Sequence, residues 1–149
     1  MTASVVGCYR VVSVEHFVDD ETLHPFGDDP QGFLMYSAEG LMSAVLMSAG
    51  RPNLAMDLLA GTSTATDAEV VAAFHSGYGF AGTYVVDGSV ITHQLLVCTV
   101  PNWVDTAQVR PFELEVDMLS LYPPDWRLRA RRWPDKHRAE EAAAGGAEA

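Results

Sequence analysis

Residues 24–47, HPFGDDPQGFLMYSAEGLMSAVLM, place a Pro/Gly/Asp-rich turn directly before two apolar segments joined by Ala38-Glu39-Gly40. This order reads as a loop feeding a β-hairpin, with Glu39-Gly40 supplying the tight turn. Outward from it, period-2 alternation marks strands near 4–17, 32–37, 41–48, 79–87, 89–98, 108–116, 118–122 and 125–133. Asp87-Gly88, Val116-Asp117 and Pro123-Pro124 supply further short turns. About eight strands so spaced predict an all-β antiparallel meander.

The long interruption, residues 49–78, falls between the third and fourth of these strands. Thr66-Asp67-Ala68-Glu69 is a capping-box pattern, and Val70, Val71, Phe74 and Tyr78 follow at helical spacing. A second helical turn is expected over Asn53–Leu59, where Leu54, Leu58 and Leu59 share a face. Such an insert either lids a barrel mouth or closes one end by packing.

At 149 residues and 48% hydrophobic content, the chain fits one domain with one core. The domain is expected over 1–134, followed by a disordered tail over 135–149, where apolar residues give way to EEAAAGGAEA. No apolar run is long enough to span a bilayer, and Met1–Arg10 lacks the basic-then-apolar pattern of a secretory signal, so a cytoplasmic protein is expected. Cys8 and Cys98 match no disulfide framework or metal-ligand spacing and read as buried, reduced thiols, with Cys98 open to an electrophilic ligand if it faces inward.

Charge is unevenly placed. Residues 1–126 hold sixteen acids against Arg10, Arg51 and Arg110, whereas 127–149 hold six basic residues and four acids, within a total of −11. An acidic body repels a phosphate backbone, which argues against nucleic acid. Arg127, Arg129 and Arg131 alternate with Leu128 and Ala130, so they form the solvated face of a strand, with Glu113 and Glu115 as expected cross-strand partners.

The same alternation selects polar side chains that point inward. His93 shares a parity with Ile91, Leu95 and Val97, and Arg110 with Gln108, Phe112, Leu114 and Val116. An inward arginine is costly unless it meets an acid, an oxygen-rich ligand or water, and Glu15 or Asp105 are its candidate acids. An inward histidine is either a satisfied core residue or a general acid/base near neutral pH.

Several segments together, Pro25-Phe26-Gly27-Asp28-Asp29-Pro30-Gln31-Gly32, Leu34-Met35-Tyr36, Ala81-Gly82-x-Tyr84, Pro101-Asn102-Trp103 and Gln108 to Phe112, resemble the small bacterial and fungal lipocalin-like domain family over roughly residues 5–122. The resemblance implies a closed or nearly closed up-and-down barrel around a cavity that holds a small molecule. Gly7-Cys8-Tyr9 is similar to the Gly-x-Trp signature of the lipocalin superfamily, whose aromatic plugs the closed end under an arginine of the last strand; Arg127 or Arg129 would be that arginine here. Under this reading Tyr36, Ser43, Met47, Tyr84, Gln108 and Phe112 line the cavity, with Asn102 and Trp103 at its mouth.

No phosphate loop, His-Glu-x-x-His, Cys-x-x-Cys or Gly-x-Ser-x-Gly occurs, and the five histidines are too scattered to propose a metal site. Any catalysis is therefore expected to be cofactor-free, with His93 moving a proton and Arg110 anchoring an enolate or acyl oxygen. Two functions follow from the resemblance. One is a cyclase or isomerase acting on a hydrophobic, oxygenated, polyketide-type intermediate; the other is a non-catalytic carrier of a hydrophobic metabolite. A homodimer is compatible with either.

Overall fold

Alternation along β4 (Leu41–Met47) is typical of the whole chain: Met42, Ala44 and Leu46 are buried, while Leu41 and Val45 are exposed. In the computed structural model, which describes residues 4–134 and residue 145, the same pattern builds β1 (Gly7–Val18), β3 (Gln31–Tyr36), β7 (Gly77–Asp87), β8 (Val90–Cys98), β9 (Ala107–Glu115), β10 (Met118–Leu121) and β11 (Trp126–Arg132). The short strands β2 (Glu21–Leu23), β5 (Met56–Asp57) and β6 (Thr62–Ser63) and the helix α1 (Asp67–His75) complete the elements. The tail expected over 135–149 lies outside the described residues apart from position 145.

The main sheet runs β11-β10-β9-β8-β7-β4-β3-β1-β2, and β11 pairs back onto β1. Eight antiparallel strands thus close into a barrel, with β2 as an extra strand folded onto the end of β1. The tight turns after β3, β7 and β9 gather at one end. Longer connections, residues 19–30, 48–76, 99–106 and 122–125, gather at the other, which is the mouth. No helix among the described residues is long and apolar enough to cross a membrane.

Counting every strand, the helix sits between β6 and β7, not between a third and fourth strand, because β2, β5 and β6 are too short to leave a period-2 signal. Its capping box forms as the sequence predicts: Glu69 N–H donates to Thr66 Oγ1 at 3.2 Å and Thr66 N–H donates to Glu69 Oε2 at 2.9 Å. The helical turn expected over Asn53–Leu59 is instead the β5–β6 hairpin. There Asp57 Oδ1 accepts from the N–H groups of Leu59 and Ala60, at 3.0 and 3.1 Å, offering the backbone a turn in place of a helix. Tyr78, read as the last apolar position of the helix, belongs to β7.

The arginine face also finds other partners. Arg127 Nη2 meets Glu15 Oε1 at 2.8 Å and Arg131 approaches Asp117 at 3.9 Å, not Glu113 or Glu115. The cause is topological: β11 lies between β1 and β10, one strand away from β9.

Tyr9, fully buried, closes the tight-turn end, its hydroxyl donating to Val5 O at 2.8 Å. The guanidinium above its ring belongs to Arg132, 5.1 Å from the centroid, not to Arg127 or Arg129, because Arg132 is the residue paired with Tyr9 across β1 and β11. Arg132 also donates to Val6 O at 2.9 Å and Ser4 O at 2.8 Å, tying the N-terminal segment to the last strand. Gly7 leaves room for this clasp: at φ 145°, a Cβ would lie 2.8 Å from Arg132 Nη1. Arg132→Met is expected to lower unfolding stability by about 2 kcal/mol in urea titrations, since it removes a cation–π contact and two charge-assisted hydrogen bonds at a partly exposed site. Arg132→Lys should recover less than half of that, because an ammonium lacks the planar fork; full recovery would contradict this assignment.

Candidate functional site

Inside the barrel, β8 sends Ile91, His93 and Leu95 to the core. A bulge opposite Ala81/Gly82 then leaves Leu96 as an extra residue, so Val97 faces solvent despite its parity with His93. Gly82 permits this crossing, since a Cβ would collide with the Gln94 carbonyl.

His93 is 2% exposed, and its Nε2 lies 2.8 Å from the Tyr36 hydroxyl, itself buried on β3. Its Nδ1 is buried and has no hydrogen-bond partner among the described residues. Burial, then the charge of Arg110, hold the imidazole's pKa down to about 4, so the ring is neutral at pH 7. Burial pushes the Tyr36 phenol well above its ordinary range. The ring is thus either an Nε2–H donor to Tyr36 with a free Nδ1 lone pair, or an acceptor from Tyr36 with a free Nδ1–H.

His93, Gln108 and Arg110 line one cavity of about 60 Å³, walled by Tyr78, Phe80 and aliphatic residues of β1, β3, β4, β10 and β11. Arg110 is half-buried and donates through Nη1 to Val109 O at 3.1 Å. Neither Glu15 nor Asp105 pairs with it, and among the described residues no carboxylate lies within 4.0 Å of its guanidinium. Burial lowers its pKa, partly offset by Tyr78 and Tyr36. Tyr78 is raised by burial, and Arg110 pulls it back.

Aromatic side chains close the mouth. Phe26, buried on the loop before β3, packs edge-on against Tyr78 at 5.8 Å, and Trp103 meets Tyr78 at 5.0 Å. Tyr78 stacks on Phe80 at 6.1 Å. The structure therefore brings His93, Arg110 and Gln108 to the cavity, Tyr36 beneath His93, and Trp103 to the mouth. Asn102 is exposed on the short turn Pro101–Trp103.

Other expected lining residues lie elsewhere. Ser43 and Met47 have the outward parity of β4; Ser43 faces an outer apolar groove, and Met47 Sδ accepts from Arg51 Nη1 at 3.3 Å. Phe112 points inward but belongs to the packed core away from the cavity. Tyr84 donates to Ser37 O at 2.6 Å at the tight-turn end, satisfying its hydroxyl on the backbone. Phe26, Tyr78 and Phe80 were not among the expected site residues. For Phe80 the signal was its parity with Tyr84; for Tyr78 a helical period masked the same strand pattern.

Between pH 6.5, the ordinary histidine value, and about 4, the unfolded chain binds a proton at His93 that the folded chain does not. Stability from this group is thus present above pH 6.5 and lost as pH falls toward 4, by an amount on the order of 3 kcal/mol. His93→Gln lacks this term, so the stability difference between wild type and variant, read from urea midpoints, should shift toward the variant by that amount between pH 7 and pH 4. A difference that stays constant over the window would show that His93 is not held neutral.

Comparison with known proteins agrees with this architecture. No curated protein matches the chain. Among solved structures, a lipocalin-like protein from Bacteroides uniformis is 14% identical, with a TM-score of 0.52 over 87% of this chain and 98% of that one. An uncharacterized protein from Bacteroides eggerthii is 13% identical, with a TM-score of 0.48 over 87% of this chain and 100% of that one. The lipocalin-like domain family matches residues 6–138, which include every strand of the barrel. By that match, the chain belongs to the lipocalin-like domain family.

Proposed function

We propose that this barrel binds a small hydrophobic molecule by an oxygen-bearing end, which enters the cavity and meets Arg110 and His93 Nδ1. The observation that carries the reading is two polar groups with spare capacity on one cavity: a buried imidazole nitrogen without a partner, and a half-buried guanidinium without a carboxylate. An unsatisfied buried donor or acceptor costs about 1–3 kcal/mol, which a ligand oxygen would recover. A cavity of about 60 Å³ holds only the polar end. The apolar body would then lie among Phe26, Tyr78 and Trp103, which must part to admit it.

Catalysis is a second reading, favoured by the neutral imidazole. With a ligand carbonyl oxygen on Arg110, His93 Nδ1 would take the proton from the adjacent carbon, and the C–H electron pair would become an enolate held by the guanidinium. Return of the proton at another carbon completes an isomerisation; attack of the enolate carbon on a second carbonyl forms the ring bond and an alkoxide, which takes the proton back from His93 to complete a cyclisation, as on a polyketide-type intermediate. A pKa of about 4 is poorly matched to base work near pH 7, so binding is the leading reading. The free thiols of Cys8 and Cys98 suit a reducing compartment, which supports placing the protein in the cytoplasm.

1-Naphthoate and 2-methylnaphthalene, apolar bodies with and without an oxyanion, test the binding reading through quenching of tryptophan fluorescence. The carboxylate should bind at least tenfold more tightly, and Arg110→Met should abolish that preference, as expected for a hydrogen bond to a charged group worth about 1.5–3 kcal/mol. Equal affinities in wild type and variant would rule the reading out. For catalysis, native mass spectrometry of the protein incubated with extract of its own cells should show a bound compound released chemically altered; release unchanged favours the carrier.

A further inference from the structure

On the outer face of β11, β1 and β3, away from the barrel cavity, an open cleft of about 510 Å³ is lined by Arg10, Arg131, Arg132, Asp29, Val12 and Trp133. We propose that this cleft is a binding site for a phosphate-class oxyanion, held between the guanidinium groups of Arg10 and Arg131 beside Trp133.

Charge distribution is the first support. The chain carries −11 overall and has nine Lys and Arg residues, yet three arginines converge here against one carboxylate. Strand register is the second. Arg10 and Arg131 are direct cross-strand partners, and like charges directly opposite one another repel. Among the described residues little relieves this: Arg10 has no carboxylate within 4.0 Å, and Arg131 has one long contact, its Nε 3.9 Å from Asp117 Oδ2. Asp29 lines the cleft without pairing to any of the three within that distance.

The third support is how the arginines are held. The Arg10 guanidinium lies 5.2 Å from the Trp133 ring centroid and its Nη2 is 3.5 Å from Gln31 Oε1, at the limit of a hydrogen bond. Phe33 braces Trp133 edge-on at 6.1 Å. Stacking fixes the plane of the fork and leaves its N–H edge available, and two adjacent forks suit an anion with three or more oxygens better than a single carboxylate. Arg132 adds positive potential while its own N–H groups stay on Val6 O and Ser4 O. Free phosphate and a phosphate monoester offer the same chemistry.

Inorganic phosphate and phenyl phosphate, titrated into the full chain at constant ionic strength, test the site through Trp133 fluorescence and thermal unfolding. The expected result is saturable, millimolar binding that raises the unfolding temperature and that chloride does not reproduce. Arg10→Gln and Arg131→Gln should each weaken it at least tenfold, while Trp133→Phe removes the phosphate-induced change in fluorescence, Trp103 and Trp126 remaining, but keeps the thermal shift. Tighter binding of phenyl phosphate than of phosphate would identify an ester as the ligand class, and equal binding the free ion. A response matched by chloride, unchanged in both arginine variants, or absent from both readouts would overturn the proposal.

Discussion

Closure of β1 onto β11 is the constraint on which the rest of this structure depends. An eight-stranded antiparallel barrel has an interior just wide enough to be filled by side chains, or to admit one small ligand. Every polar atom sent inward must therefore find a partner inside or remain unmet. Tyr9 and Tyr84 solve this on backbone carbonyls at the tight-turn end, and Tyr36 solves it on His93. His93 spends one nitrogen on Tyr36, which leaves Nδ1 as the unmet atom among the described residues.

Electrostatics sharpens that asymmetry. Arg110 stands in the same cavity as His93, so two groups that both favour positive charge share a place that disfavours charge. The imidazole yields, because guanidinium stays protonated under all ordinary conditions. An anionic or carbonyl oxygen placed against Arg110 would offset the repulsion and let His93 hold a proton more easily. The cavity's polarity and its chemistry are in this sense one property, set by residues on β8 and β9. The lipocalin-like family match accounts for the barrel, not for the polar side chains that its cavity presents.

Strands with strict alternation were legible in the sequence nearly to the residue: β4, β8 and β9 are found close to where period-2 reading puts them, and His93 and Arg110 face the cavity as that reading requires. What escaped it has physical causes. The β7–β8 bulge changes parity within one strand, so Val97 turns outward. Ser43, expected to line the cavity, stands outward because its β4 neighbours Met42 and Ala44 take the core parity. Arg132, the clasp over Tyr9, depends on how the first and last strands pair, a relation across the length of the chain that no local pattern contains. The β5–β6 hairpin was hidden because a side-chain oxygen of Asp57, not apolar periodicity, decides its turn.

The state of His93 is the point at which fold and function meet, and imidazole 15N chemical shifts followed against pH measure it directly. A neutral ring is expected at pH 7, with shifts that begin to move only near pH 5 and titrate about 4, and with Tyr36→Phe altering the Nε2 resonance more than Nδ1. A His93 ring that titrates near its ordinary value of about 6.5 would contradict the account, since neither burial nor Arg110 would then be acting on it.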